Sequence, residues 1–329
     1  MKWSRFTTLN INLFNNFKIT KNNILLLNLE SEKENILNKF KSIQVIIKPY
    51  KFNDKIKDLI NGSFVYKDGI IMNLDKKPDE YIIEWDGNYI YIKTTEAFMI
   101  NFKKRIKVLI NMIEYIKSKN NNISKKIRIY LILLDLEKNL PNNNEIIKAK
   151  HANTGYTDHS KNIIFIWRHE EFEKVLLHEV IHFFELDCSD DIIKINKIII
   201  NGPSERYYEA LTDYYAICYH LIYISILTNI KLKGLLEIEL AFMKNQANVL
   251  NKYYNLKNWT INNNIIINQD TSAFSYYIVK YLLFEYMLYN NTNIMNNYYE
   301  ILNIILNKGF KTSKFINVKS LRMTLLQIY

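Results

Sequence analysis

Six histidines are spread through the 329-residue chain, and two of them, His178 and His182, stand four positions apart with Glu179 directly after the first. Positions four apart on a helix lie one above the other, so both imidazoles can reach a single ion at ~2.0–2.1 Å. Glu179 can then approach a water on that ion without taking a coordination position, which is the general-base role in the H-E-x-x-H pattern. The residues ahead of the pair, Phe172-Glu173-Lys174-Val175-Leu176-Leu177, are apolar enough to bury the helix. Buried polar side chains need partners, and a metal supplies them.

Two histidines leave a catalytic zinc site one protein ligand short. Glu209 is the strongest candidate: it lies in Tyr207-Tyr208-Glu209-Ala210-Leu211-Thr212-Asp213, a segment whose aromatic and apolar neighbours predict a buried helix. Glu209 and Asp213 are four apart and share one face of it. Asp187 and Glu205 are alternates. Cys188 offers a thiolate, but only if the helix breaks beyond His182 without a glycine to permit it. With three protein ligands, the fourth position admits a water whose pKa falls toward ~7. Glu179 takes its proton and carries it to the leaving group, while a nearby donor stabilises the oxyanion. The expectation is a zinc-dependent hydrolase.

The elements that must position these residues fall in a definite order. Residues 24–29 and 43–50 read as short strands, and 81–93 as a hairpin turning at Asp86-Gly87. Residues 98–117 carry apolar side chains at helical spacing, 126–136 and 162–167 read as strands, and 140–158, with Pro141, an Asn run and Gly155, as a loop. From Glu170 the texture is helical with little strand: 171–186, a helix opened by Gly202-Pro203-Ser204, then 234–253, 271–288 and 294–307. The division expected is an N-terminal α/β region, 1–95, of unassigned role, and a catalytic domain, 96–329, whose sheet part ends near 187.

Composition narrows the function classes. Hydrophobic residues make up 48% of the chain and charged residues 23%, as in an ordinary globular protein. The net charge of +11 comes with lysines scattered singly or in pairs, such as Lys103, Lys104 and Lys107. No dense basic stripe tracks a phosphate backbone, so nucleic acid is not the expected partner. Two cysteines, Cys188 and Cys218, cannot build a disulfide framework. The N-terminal stretch lacks the unbroken apolar core of a signal peptide, and 214–227, interrupted by His220, falls short of the ~18 residues of a membrane span. These features predict an intracellular, non-secreted protein without a membrane span; nothing specifies its oligomeric state.

The H-E-x-x-H pentapeptide and the Glu209-x-x-x-Asp213 pair together resemble the gluzincins, the thermolysin-like zinc metallopeptidases. The glycine and third histidine that continue the motif in metzincins are replaced here by Glu185 and Cys188. The gluzincin resemblance implies a zincin-like α+β fold, with a small mixed β-sheet and active-site helix followed by a mainly helical C-terminal region. It implies zinc held by His178, His182 and Glu209, with Asp213 accepting a hydrogen bond from a ligand imidazole, and a peptide or protein substrate. Strand 162–167 would be the edge strand that aligns it. An oxyanion donor would come from a Tyr or His beyond the third ligand; Tyr276, Tyr277 and His220 are candidates that spacing does not separate. The stretches 151–157, 163–171 into the motif, 208–213, 246–248 and 271–280 are further similar to metallopeptidase-like proteins of large eukaryotic DNA viruses, over about residues 126–288. That likeness implies a host-cytoplasmic or virion location and makes Asn153, Tyr276 and Tyr277 candidate cleft walls. It also leaves open a second function, a virion-associated interaction protein that keeps the fold with little activity.

Overall fold

The computed structural model describes residues 2–14, 17–51, 55–62, 65–120, 124–142, 145–187, 199–201, 206–256, 258–263 and 265–328. It is a mixed α/β molecule built on one six-stranded mixed sheet. The strands are β1 (Ile46–Pro49), β2 (Asp79–Trp85), β3 (Asn88–Thr94), β4 (Arg128–Leu134), β5 (Gly155–Asp158) and β6 (Ile163–Arg168). Their order across the sheet is β1-β2-β3-β4-β6-β5. The β2–β3 hairpin turns at Asp86-Gly87, both at positive φ (44° and 71°), the conformation a two-residue turn of this twist requires. β3, β4 and β6 run parallel, and β5 closes the sheet antiparallel to β6.

Alternation along the central strands assigns each side chain to one of two cores. Ile129, Leu131, Leu133, Ile164 and Ile166 face the main core, while Tyr130, Ile132, Leu134, Ile163, Phe165 and Trp167 face a smaller one. The small core is covered by α3 (Lys55–Leu59) and α4 (Lys67–Asn73), through Ile56, Leu59 and Ile70. Burial on both faces explains why β4 and β6 read as continuous apolar runs.

The main core lies between the sheet and a helical layer. Two helices precede the hairpin's sheet, α1 (Arg5–Asn10) and α2 (Ile24–Asn38); α5 (Glu96–Phe102), α6 (Ile106–Lys117) and the short α7 (Ala149–Ala152) precede the motif helix α8 (Phe172–Phe183). Then come α9 (Tyr208–Thr228), α10 (Leu232–Tyr253), a π-helical turn (Ser275–Val279) running into α11 (Lys280–Met287), and α12 (Ile294–Lys308). α8 packs on β5, β6 and α6 on one side and on α9 on the other. The expected boundary at 95/96 falls between β3 and α5, and sheet and core run continuously across it.

Four expectations about elements need correction. Residues 24–29 open α2: Asn23 caps it by accepting from the Leu26 amide, and Leu25, Leu26, Leu29 and Ile36 are buried at helical spacing. Leucine favours this over a strand. The helix expected over 98–117 is two, bent at 103–105 so that Arg105 turns inward to pair with Glu173 at 2.9 Å. The loop expected over 140–158 contains α7 and β5, and the sheet's edge is β5, whereas β6 is interior. The C-terminal half also carries two short strand pairs, β7 (Ile199–Asn201) with β9 (Ile266–Asn268) and β8 (Asn258–Trp259) with β10 (Phe310–Lys311). Among the described residues, α9 alone is long and apolar enough to cross a membrane, and 83% of its most apolar window is buried inside the protein. It extends past the expected 214–227 in both directions.

Candidate metal centre

α8 is buried almost from end to end, with only His182 partly exposed. Its first turn is anchored by Glu171 at φ 59°, and Glu185 at φ 54° turns the chain away soon after the helix ends. That reversal brings Asp187 back to His182, whose Nδ1 lies 2.6 Å from Asp187 Oδ2. On the facing helix, Glu209 occupies the first turn of α9 and Asp213 the second. His178 Nδ1 lies 3.1 Å from Asp213 Oδ1.

Ionised carboxylates only accept hydrogen bonds, so both Nδ1 atoms carry a proton and both Nε2 atoms are left facing the space between them and Glu209. These atoms converge. The two Nε2 atoms are 3.0 Å apart, and each lies 3.2 Å from the same oxygen, Oε2 of Glu209. Three acceptors this close repel unless a proton, as on His182, or a metal ion lies among them. A tetrahedral ion at ~2.0–2.1 Å from each donor spaces its donors ~3.3–3.4 Å apart, close to what is seen. Two imidazoles and one carboxylate are a donor set zinc accepts. His178, His182 and Glu209 therefore fit a metal in both spacing and chemistry.

The electrostatics point the same way. Burial, with the neighbouring His182, holds His178 down to about 3, so it stays neutral. Burial also opposes charge on His182, but Glu209 and Asp187 outweigh it and hold the imidazole well above its ordinary value. Glu209 is buried too, yet the two histidines keep it far below the usual carboxylate range. The centre attracts positive charge: without a metal, His182 supplies it as imidazolium, in the place a metal ion would take.

Glu179 sits beside the candidate ligands His182 and Glu209, and burial pushes its carboxyl up to about 7. Its Oε2 accepts from Thr157 Oγ1 at 2.8 Å, which ties it to the edge strand β5. Tyr276, on the π-helical turn, stands edge-on to His178 with ring centroids 5.9 Å apart, and its hydroxyl is hydrogen-bonded to Glu209. Burial and then the Glu209 and Glu179 carboxylates hold that hydroxyl well above its ordinary pKa. Tyr208 stands edge-on to His182 at 5.9 Å.

The structure thus brings together His178, His182, Glu209, Asp213, Glu179 and Tyr276. It does not bring Tyr277, His220 or Asn153 to them. Tyr277 donates to the Leu321 carbonyl on the far side of its turn. His220 is buried against Tyr223, eleven residues and ~16 Å further along α9 from Glu209. Asn153 is a structural tie: its carbonyl accepts from Arg168 Nε at 2.8 Å and its Oδ1 from Thr271 at 2.8 Å. Asp187 serves as the partner of His182 rather than as a ligand. Cys188, Glu205 and the helix start at 202–204 lie outside the described residues. The sequence reading did not single out Thr157 or Tyr208 as site residues; Lys174, four positions before His178, carried a signal as a charge in an otherwise apolar buried helix.

No protein-family model matches the chain, and searches of curated proteins and of solved structures found no match to it.

Proposed function

We propose that the protein is a zinc-dependent hydrolase of the gluzincin type that cleaves peptide bonds. The observation that carries this reading is the convergence of His178 Nε2, His182 Nε2 and Glu209 Oε2 on one point, with Glu179 alongside. Zinc, when bound there, supplies a Lewis acid and lowers the pKa of a water toward ~7.

The chain's own residues account for the rest. Glu179, poised near neutrality by burial, takes the proton of the attacking water and returns it to the leaving nitrogen. Thr157 holds one of its oxygens, which leaves the carboxylate a fixed orientation. Tyr276 carries a hydroxyl bonded to the Glu209 carboxylate and is the donor we assign to the developing oxyanion. Asp213 and Asp187 keep both ligand imidazoles in the Nδ1–H form. β5 leaves a sheet edge beside the site, and such an edge accepts an extended peptide as an added strand, which favours peptide as the substrate class. The resemblance to gluzincins and to viral metallopeptidase-like proteins supports the same reading.

Metal analysis of the purified chain and a peptide-cleavage assay against Glu179→Gln test it. We expect about one zinc per chain in both proteins, and cleavage in the wild type that falls by more than ~100-fold in the variant. A wild type that holds no metal, or cleavage independent of Glu179, overturns the proposal and favours a non-catalytic interaction module.

A further inference from the structure

Behind the centre lies a group of charges that the chemistry above does not use. Lys138, Lys174, Lys280 and Arg322 face Asp213, Glu170, Glu171 and Glu239, four basic side chains against four acidic ones and, Glu170 apart, almost wholly shielded from solvent. They surround residues 321–328, a segment without regular helix in which every side chain is buried. Glu171 Oε1 accepts from the amides of Met323 and Thr324, both at 2.6 Å, and Glu239 accepts from Thr324 Oγ1 at 2.9 Å.

If neutrality alone were at stake, each lysine would take its own carboxylate. Lys138 does so, pairing with Glu171 at 2.9 Å. Lys174 and Lys280 instead converge on Asp213. Lys280 Nζ lies 2.6 Å from Oδ2, and Lys174 Nζ is bonded to Oδ1, the oxygen that also faces His178. Each lysine has a second hold on the same buried residue, Lys280 on the Met323 carbonyl at 3.1 Å and Lys174 on Met323 Sδ at 3.2 Å.

The spacing is systematic. His178, Glu209 and Tyr276 form a front layer, one residue from each of three segments. Lys174, Asp213 and Lys280 form a rear layer, each four positions away along the same segments. A step of four is about one helical turn, so the two layers stack.

We propose that Lys174 and Lys280 are positioning residues for the metal centre, which lock both oxygens of Asp213, and through Asp213 the orientation of His178, to the buried segment 321–328. This rests on the metal-site reading. Alone, Asp213 could turn about its side-chain bonds and release His178; bonded at both oxygens it cannot.

The test is Lys280→Met in the full chain, read by zinc affinity in competition with a chromophoric chelator and by the visible spectrum after cobalt(II) substitution. The expected result is ~10-fold weaker zinc binding and an altered cobalt spectrum, the effect usual for losing a partner behind a ligand. The control is Gln246→Met, which loosens the same segment at the Ser320 and Arg322 carbonyls without touching Asp213, and which should change neither readout. Unchanged affinity and spectrum in folded Lys280→Met, or an equal loss in the control, overturns the proposal. Should Lys280→Met not fold, Lys280→Gln retains a donor and is expected to shift both readouts in the same direction by less; no shift there is equally decisive against it. A wild type that binds neither zinc nor cobalt instead breaks the metal reading itself.

Discussion

At the N-terminal end of α8, Glu173 pairs with Arg105 at 2.9 Å and accepts from Tyr223 at 3.1 Å, while Glu171 holds Lys138 and two backbone amides. At the C-terminal end of the same helix, His178 and His182 turn their Nε2 atoms toward each other and toward Glu209. Both ends are buried and both are polar. In one, opposite charges pair within the protein; in the other, three atoms able to accept converge, with only His182 able to bring a proton. Matched charges hold a fold together, whereas converging acceptors mark a place where something else must bind. The difference separates the architecture of α8 from its chemistry more sharply than burial does.

The contrast predicts that substitutions at the two ends fail in different ways. Glu209→Ala should weaken zinc binding by more than ~100-fold, since losing a ligand exceeds the loss of a partner behind one. The metal-free protein should lose less stability than Arg105→Met does, because the attraction of Glu209 for the His182 imidazolium is offset by the cost of burying the carboxylate. A large drop in metal-free stability would place Glu209 with the matched end instead. Arg105→Met should do the reverse. It strands the Glu173 carboxylate, at a penalty of ~3–5 kcal/mol in urea unfolding, with zinc affinity per folded molecule unchanged. Lost affinity in the folded variant would erase the distinction.

A smaller effect appears in pH. Burial pushes Glu239 up to about 7, against 4.5 ordinarily, so between these values the folded protein keeps a proton that the unfolded chain releases. Its contribution to stability is full below pH 4.5 and is lost as pH rises through 7. Glu171, held down to about 2 with Lys138 and Arg322 overcoming its burial, has the opposite sign and loses its contribution only as pH falls through 2. Between pH 5 and 8, wild-type stability should therefore decline by ~1–3 kcal/mol relative to Glu239→Gln in urea titrations. Parallel curves for the two proteins would show that Glu239 is already ionised in the fold.

The sequence disclosed the centre's helical parts because helical spacing is local. His178, His182, Glu209 and Asp213 are all pairs four apart, and a period can be read without knowing the fold. The strand beside them was hidden. Every residue of β5 is half-buried, so no alternation betrays it, and Gly155 reads as a loop signal when its role is close packing. A Cβ there would meet the Phe165 carbonyl at 3.0 Å. Thr157 was lost with the strand. Asp187 was misjudged as a ligand alternate because its approach to His182 depends on the chain reversing at Glu185. Tyr276 and Tyr277 are adjacent and chemically alike; only the π-helical turn decides which faces the ligands, and a wider turn leaves no periodic trace. Residues 24–29 show the reverse error, since an apolar run of six fits a strand or a helix until its cap and partners are known.

The burial of residues 321–328 also has a bearing on when the protein becomes competent. Every ligand, and every charge that steadies Asp213, lies earlier in the chain than the Met323 carbonyl and sulfur that steady the two lysines. A ribosome delivers those groups after the rest of the centre. A nascent chain can form the sheet, α8 and α9 while Lys174 and Lys280 still lack half of their anchoring, so the candidate metal centre is fully braced only after Met323 has been made and packed.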